Sequence, residues 1–109
     1  MIIDFNEMKE TRLPEFKGGV GDTIARMHVA NLGKIMYGRL EPGSSIGMHK
    51  HETSSEVIYI LSGEADFLYD NCKEKTSAGG CHYCPKGHSH SMINNGAEDL
   101  VYFAVVPEQ

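Results

Sequence analysis

Residues 43–63 read GSSIGMHKHETSSEVIYILSG, and this stretch carries three side chains of the metal-binding type within eight residues. His49 and His51 are two positions apart, a spacing that puts both imidazoles on one face of a β-strand. Glu56 follows a short turn and begins an apolar run that extends to Leu61. The stretch therefore predicts two strands that carry two histidines and a carboxylate.

A second block, residues 79–94, reads GGCHYCPKGHSHSMIN and supplies a further histidine. A tight corner at residues 85–87 precedes His90, which lies in a later strand. Nitrogen and oxygen ligands that converge from separate strands suit a divalent first-row metal. The two blocks together predict one metal site, formed by His49, His51, Glu56 and His90.

Ten residues of the two blocks fall at the fixed spacings of two motifs. The pattern G-x5-H-x-H-x(3,4)-E-x6-G is matched by Gly43, His49, His51, Glu56 and Gly63. The pattern G-x5-P-x-G-x2-H-x3-N is matched by Gly79, Pro85, Gly87, His90 and Asn94. These are the two motifs of the cupin superfamily, which the chain closely resembles. The 15-residue segment between them, residues 64–78, resembles that of small single-domain microbial cupins.

The resemblance implies a fold and a ligand set. The fold is all-β, a single small antiparallel β-barrel or jelly roll (a double-stranded β-helix), with the metal inside its mouth. The metal ligands that the resemblance implies are His49, His51, Glu56 and His90. Cupins have very diverse functions, so the resemblance does not imply a particular reaction.

The chain has 109 residues, which suits one domain with one core. We expect a single cupin domain over residues 1–109, in which residues 20–109 form the barrel and residues 1–19 an N-terminal extension. Within that extension, residues 6–12 could form one short helical turn. Short strands separated by turns predict an all-β protein. The predicted strands are residues 23–29, 34–40, 45–50, 57–61, 65–69, 73–76, 82–85, 90–93 and 100–106.

Charge and cysteine content limit the partners and the location. The net charge is −5 and there is no run of lysine or arginine, so a nucleic-acid partner is not expected. No apolar run reaches 18 residues and the N-terminus lacks a basic region, so we expect neither a membrane span nor a signal peptide. Three cysteines, an odd number, argue against a disulfide framework and fit the reducing cytoplasm.

Alternation of side chains along strands suggests which residues line a substrate pocket. If Glu56 points inward, Ile58 and Ile60 do too. If His90 points inward, so does Met92. Further candidates for the pocket lining are Tyr37, Arg39, Met48, Phe67 and Tyr102. If it faces inward, Arg39 would pair with an anionic group of a substrate; the alternative is a surface arginine on a half-buried strand.

His88 is the candidate catalytic residue, as a hydrogen-bonding group or proton shuttle, and its alternative is an exposed turn histidine. His28 and His82 are expected at partly exposed strand positions. Cys81 and Cys84 are three apart and would point to opposite faces of a strand, which disfavours a shared zinc ion. Small core side chains are the better interpretation of these two cysteines, and Cys72 lies nearby. Glycines 43, 63, 79 and 87 are expected to permit turns, and Asn94 to be a turn residue rather than a ligand.

These observations favour a small metalloenzyme with one divalent transition metal. Four protein ligands leave an octahedral ion two open positions, as a catalytic metal needs. Manganese, iron, nickel, cobalt and zinc all suit the ligand set. The substrate would be a small, anionic or carbonyl-bearing metabolite, changed by oxygen-dependent cleavage or by redox-neutral isomerase, epimerase or lyase chemistry. The alternative is a non-catalytic binding module that senses a small ligand or a metal.

A homodimer is also expected. In the strand that follows Glu56, the side chains of Val57, Tyr59 and Leu61 point to the opposite face. They could pack against a second subunit, which would cover an apolar outer face of the sheet.

Overall fold

Ten strands form two antiparallel sheets in the computed structural model, which describes all of residues 1–109. The strands are β1 (Thr11–Pro14), β2 (Asp22–Ala30), β3 (Gly33–Leu40), β4 (Ser45–Lys50), β5 (Glu56–Ser62), β6 (Glu64–Tyr69), β7 (Cys72–Ser77), β8 (Cys81–Cys84), β9 (Ser89–Ile93) and β10 (Leu100–Pro107). One sheet has the order β1-β2-β3-β10-β5-β8 and the other has the order β4-β9-β6-β7. The prediction of an all-β barrel of the jelly-roll type is confirmed.

All nine predicted strands are present, and each end lies within one residue of its predicted position. Among the N-terminal residues only a short helical turn was predicted, within residues 6–12, and strand β1 was missed. A 3₁₀ turn occupies Phe5–Glu7, where the side chain of Asp4 accepts a hydrogen bond from the Asn6 amide at 3.0 Å. Strand β1 then pairs with β2, in the register that sets Arg12 opposite Ile24. Strand β1 is an exposed edge strand, and its sequence lacks the apolar alternation by which most of the other strands were recognised.

The hydrophobic core lies between the two sheets. Strand β10 alternates strictly, so that its even-numbered residues are buried and its odd-numbered ones are partly exposed. The largest core side chains, Tyr102 from one sheet and Phe67 from the other, are 0% and 2% exposed. Burial of these inward faces is the main force that holds the sheets together.

The four motif glycines sit at turns, as predicted. Gly43, Gly63, Gly79 and Gly87 have φ values of 86°, 87°, 94° and 92°. Residues other than glycine rarely adopt this left-handed backbone conformation, because their Cβ atom would crowd the following carbonyl group. These glycines therefore let the chain reverse between the strands that carry the ligand-type residues.

The N-terminal segment also packs against β4. A Cβ atom on Gly47 would overlap the carbonyl oxygen of Lys17, and a Cβ atom on Gly19 would overlap that of Ser45. The Ser45 amide donates to the Val20 carbonyl oxygen at 2.8 Å. Two glycines thus allow the segment at Phe16–Gly18 to lie directly on the strand that holds His49.

Candidate metal centre

Four side chains converge at one end of the barrel: His49, His51, Glu56 and His90, whose nearest nitrogen and oxygen atoms all lie within 4.8 Å of one another. The Nε2 atom of His90 is 2.9 Å from Nε2 of His51 and 3.2 Å from Nε2 of His49. The Oε1 atom of Glu56 is 2.9 Å from Nε2 of His90 and 3.2 Å from Nε2 of His51. The group could hold one metal ion.

Three strands and one loop place these side chains. His49 in β4 lies directly across from His90 in β9, after a bulge that interrupts the pairing between Ile46 and His49. His51 lies just beyond β4, where its amide donates to His88 O at 3.0 Å and its carbonyl accepts from Gly87 N at 2.7 Å. Glu56 is the first residue of β5. The glycine corner before β9 therefore fixes both the loop histidine and the strand histidine.

The hydrogen bonds of His49 and His90 indicate that these two rings present lone pairs to each other. His49 Nδ1 lies 2.7 Å from the carbonyl oxygen of Gly47, which can only accept, so Nδ1 carries the proton. In the neutral ring, Nε2 is then a bare acceptor. His90 Nδ1 bonds to Nε2 of His82, whose own Nδ1 carries the proton that the Glu74 carboxylate accepts, so in the neutral rings His90 Nδ1 is likewise a donor. No proton lies between His49 Nε2 and His90 Nε2, so a cation is the natural partner for both.

The spacing of the donor atoms also fits a metal ion. Two metal bonds about 2.1 Å long at right angles put their donor atoms about 3.0 Å apart. The four close contacts between donors measure 2.9 to 3.2 Å. Three imidazoles and one carboxylate are a donor set that manganese, iron, cobalt, nickel and zinc all accept. The residues present therefore fit a divalent transition metal.

Burial and charge set the ionisation of this group. Burial alone would raise the pKa of Glu56, but the adjoining imidazoles of His51 and His90 outweigh it and lower the pKa to about 2. The carboxylate is therefore ionised at neutral pH. Burial lowers the pKa of His49, and the nearby His90 lowers it further, which favours the neutral imidazole that metal binding requires.

A cleft of about 300 Å³ opens beside the four side chains. His49, His51 and Glu56 line it directly, and Met36, Ile46, Phe16 and Val106 form its apolar wall. Its charged residues outside the candidate ligand group are Lys17, Lys34, Lys50, Glu52 and Glu108. A small molecule in this cleft would lie against the candidate metal ligands, with lysines close by.

None of the pocket candidates named from the sequence lines this cleft. Ile58, Ile60, Phe67, Met92 and Tyr102 do face inward, but they belong to the close-packed core. Tyr37 and Met48 are 37% and 46% exposed, because they alternate with the inward-facing Met36 and His49.

Arg39 also differs from its substrate-binding interpretation. Its side chain lies on the outer surface, where Nε is 2.8 Å from Glu10 Oε2 and Nη1 is 3.0 Å from Asp99 Oδ2. The guanidinium of Arg39, which an anionic substrate would need, is therefore already paired with the carboxylates of Glu10 and Asp99. The interpretation of Arg39 as a surface arginine agrees with this placement.

His88, the catalytic candidate, does not line the cleft. Its side chain is 44% exposed, and Nδ1 lies 2.7 Å from Asp70 Oδ2. The same carboxylate accepts from the Ser89 amide at 3.0 Å. The structure thus places His88 in a surface contact that ties β9 to the β6–β7 turn.

The expectation for His82 was wrong, because this residue is 4% rather than partly exposed. It alternates with Cys81 and Tyr83, and so points inward together with Cys84. Cys81 and Cys84 do face opposite ways, as predicted, but only Cys84 is buried and Cys72 is exposed. Burial raises the pKa of the Cys84 thiol to about 11, so it remains protonated. The strict alternation of β8 was the available signal for His82.

A family model described as "Cupin domain" matches residues 36–106. The chain therefore belongs to the cupin family, as its two motifs and its paired antiparallel sheets indicated. A Thermotoga maritima protein named "Oxalate-binding protein" is 34% identical over 113 residues, which cover 97% of this chain and 93% of that protein.

Solved structures show the same fold. The crystal structure of a "predicted oxalate decarboxylase" from Thermotoga maritima matches with a TM-score of 0.93 at 31% identity, and each chain is covered completely. A Klebsiella pneumoniae protein with a double-stranded β-helix domain matches with a TM-score of 0.77 at 23% identity, covering 97% of this chain and 88% of that one. The second likeness concerns the fold alone.

Proposed function

We propose that this protein is a metal-dependent cupin that binds a small carboxylate anion, such as oxalate, in the cleft beside His49, His51, Glu56 and His90. The observation that carries this proposal is the convergence of four metal-type ligands, three of which line an open cleft. A bound divalent ion would supply a Lewis-acid or redox centre there. The names of the Thermotoga maritima relatives support oxalate as the first ligand to test.

The charges of the cleft favour an anion. Three lysines and two glutamates line it outside the candidate ligand group, so that the lysines outnumber the glutamates. Three neutral imidazoles and one carboxylate reduce the charge of a divalent ion only to about +1, which leaves attraction for a carboxylate. We propose that Lys34 and Lys50, which line the cleft, attract the part of the anion that lies away from the metal.

Binding is tested by calorimetry with protein loaded separately with manganese, iron, cobalt, nickel or zinc. We expect oxalate to bind the metal-loaded protein and to bind His51→Ala, treated in the same way, weakly or not at all. Lys34→Gln and Lys50→Gln should each weaken binding by about threefold or more, as the loss of one partly screened charge predicts. Lys73→Gln, on the exposed strand β7, is the matched control. Equal affinity in all three lysine variants would contradict the proposed role of the cleft charges.

We further propose that the bound anion is a substrate and that the reaction is redox-neutral cleavage of a carbon–carbon bond. For oxalate, this reaction consumes one proton and yields one carbon dioxide and one formate. It is measured with ¹³C-labelled oxalate by NMR, under air and under anaerobic conditions. Formate formation without net oxygen consumption is the expected result, whereas stoichiometric oxygen uptake would indicate oxidative cleavage instead.

A non-catalytic binding module is the second candidate, and the name of the "Oxalate-binding protein" relative favours it. The two candidates predict the same metal and oxalate affinities but differ in turnover. Tight, metal-dependent binding without loss of ¹³C-oxalate for any of the five metals would favour the binding module over the enzyme.

We also propose a homodimer formed through the outer face of β5. Val57, Tyr59 and Leu61 are 37%, 42% and 41% exposed there, and Tyr83 of the neighbouring strand β8 is 55% exposed. Exposed aromatic and aliphatic residues on adjacent strands are typical of subunit interfaces. Light scattering should give twice the chain mass of 12.1 kDa, and Leu61→Glu should return the protein to that single mass. A wild-type mass of one chain would refute the dimer.

No helix of the structure has the length and apolar character that crossing a membrane requires. The cytoplasmic location inferred from the cysteine content stays a prediction, as does the absence of a nucleic-acid partner. Cell fractionation and a gel-shift assay at low salt, respectively, would test them.

A further inference from the structure

Three side chains form a continuous hydrogen-bonded chain from the protein surface to the candidate metal ligands. Glu74 Oε1 lies 3.0 Å from Nδ1 of His82, and Nε2 of His82 lies 3.0 Å from Nδ1 of His90. Nε2 of His90 is the atom closest to the other three ligand-type side chains. Glu74 is half exposed, whereas the side chains of His82 and His90 are each only 2% exposed.

With both imidazoles neutral, the chain has one consistent arrangement of protons. The carboxylate of Glu74 can only accept, so Nδ1 of His82 carries a proton. The side chain of His82 is only 2% exposed, and a buried imidazole favours the neutral form, which leaves Nε2 bare. That nitrogen accepts from His90, so Nδ1 of His90 carries the proton and Nε2 of His90 turns a lone pair to the cluster.

Stacking holds the ring of His82 in this orientation. The ring lies against Phe67 with a centroid distance of 4.0 Å and an interplanar angle of 14°. The ring is also nearly parallel to that of His90, with a centroid distance of 5.2 Å and an interplanar angle of 17°. A buried, uncharged core position would be filled more favourably by an apolar side chain, because an imidazole must keep its hydrogen bonds. Both ring nitrogens of His82 have such partners, and one of these partners is a candidate metal ligand.

We propose that His82 is a positioning residue, which together with Glu74 locks His90 in the tautomer that offers Nε2 to the metal. The proposal rests on the metal-binding part of the proposed function, but on neither the anion nor the reaction. The hydrogen bond from His90 to His82 also makes Nε2 of His90 a more basic ligand, as partners behind a ligating histidine generally do. Glu74 extends this effect to a carboxylate at the surface.

The tautomers are measured directly in the metal-free protein. Long-range ¹H–¹⁵N correlation spectra at about pH 8.5, where imidazoles with ordinary pKa values are neutral, distinguish Nδ1–H from Nε2–H rings. We expect His90 and His82 to be Nδ1–H tautomers in the wild-type protein. In His82→Phe, which retains an aromatic ring beside Phe67, His90 should shift towards the Nε2–H form. A wild-type His90 in the Nε2–H form would overturn the proposal.

The second measurement is the affinity for Co²⁺, followed by its visible absorption in competition with a chelator. Loss of a partner behind a ligating histidine typically weakens metal binding about 10- to 100-fold, and we expect a loss in this range for His82→Phe. His82→Gln should restore most of the affinity, because its amide oxygen can accept the proton of His90 where Nε2 did. Glu74→Ala should give a smaller loss, and Glu64→Ala, which removes an exposed carboxylate on β6, should give none.

A purely structural role gives a different pattern. It would lower the melting temperature of metal-free His82→Phe but leave its Co²⁺ affinity per folded molecule unchanged, and that result would overturn the proposal. If His82→Phe does not fold, the remaining variants decide. A Co²⁺ affinity that decreases from wild type to His82→Gln and then to Glu74→Ala supports the proposal, and equal affinities overturn it. If wild-type protein binds no Co²⁺, the proposed function fails, while the tautomer spectra still decide the role of His82.

Discussion

Asn94 belongs to the second sequence motif but has a purely structural role. Its side chain donates to the carbonyl oxygens of Leu40 and Glu98, at 2.8 Å each, and accepts from the Gly96 amide at 2.9 Å. The residue is 0% exposed. Its backbone also joins the end of β9 to the start of β4, since its amide donates to Ser44 O at 3.0 Å. Asn94→Ala should therefore destabilise the fold without changing metal binding.

The size of the effect follows from these three hydrogen bonds. Each contributes about 1 kcal/mol net, and a buried carbonyl oxygen left without a donor costs about 1 to 3 kcal/mol. The hydrogen bond to the Leu40 oxygen is buried, whereas those to the Glu98 oxygen and from the Gly96 amide are only partly buried, so these two groups can reach water more easily. We expect Asn94→Ala to lower the free energy of unfolding by about 3 to 4 kcal/mol in total. For a domain of this size that corresponds to a melting temperature about 15 °C lower.

Urea unfolding of the metal-free protein, followed by circular dichroism, measures this difference. Asn94→Asp should lose more than Asn94→Ala, because it would set a carboxylate against two carbonyl oxygens. The control is Asn95→Ala, which removes an exposed hydrogen bond to Asp66 and should change stability by less than about 0.5 kcal/mol. A loss below about 1 kcal/mol for Asn94→Ala would refute the reasoning. A weaker Co²⁺ affinity of the folded variant would refute it too.

Three further predictions concern the site itself. Metal at 1,000 times its dissociation constant should stabilise wild-type protein by about 4 kcal/mol, and calorimetry should show no such gain for His51→Ala. Because the adjoining imidazoles of His51 and His90 lower the folded-state pKa of Glu56 to about 2, its carboxylate stabilises the metal-free protein above its ordinary pKa of 4.5. Acid titration should show that this stability is lost between pH 4.5 and 2 in the wild type and not in Glu56→Gln. Gly47→Ala should drive the Lys17 backbone away from β4 and lower both the stability of the protein and its affinity for oxalate. The control is Gly96→Ala, whose Cβ atom would meet only the Asn94 side chain, at 3.3 Å, and which should have a smaller effect on both quantities.

The local sequence predicted the strands, because the period-two alternation of apolar residues and the turn glycines act over a few residues. Every predicted strand was found, as was the left-handed backbone at Gly43, Gly63, Gly79 and Gly87. The motif spacings also singled out His49, His51, Glu56 and His90, which the structure brings within 4.8 Å of one another. These features depend on residues that are close in sequence or on fixed motif spacing.

The tertiary structure alone decided which neighbours each inward side chain meets. Alternation gives a residue one of two faces but not the register, and so it could not separate the core position of Tyr102 from the outer position of Arg39. Strand β1 is held by pairing with β2 rather than by its own sequence pattern. The contact of Glu74 with His82 likewise joins two strands of different sheets. Such contacts arise when the sheets pack face to face, because packing joins residues whose proximity no local pattern records.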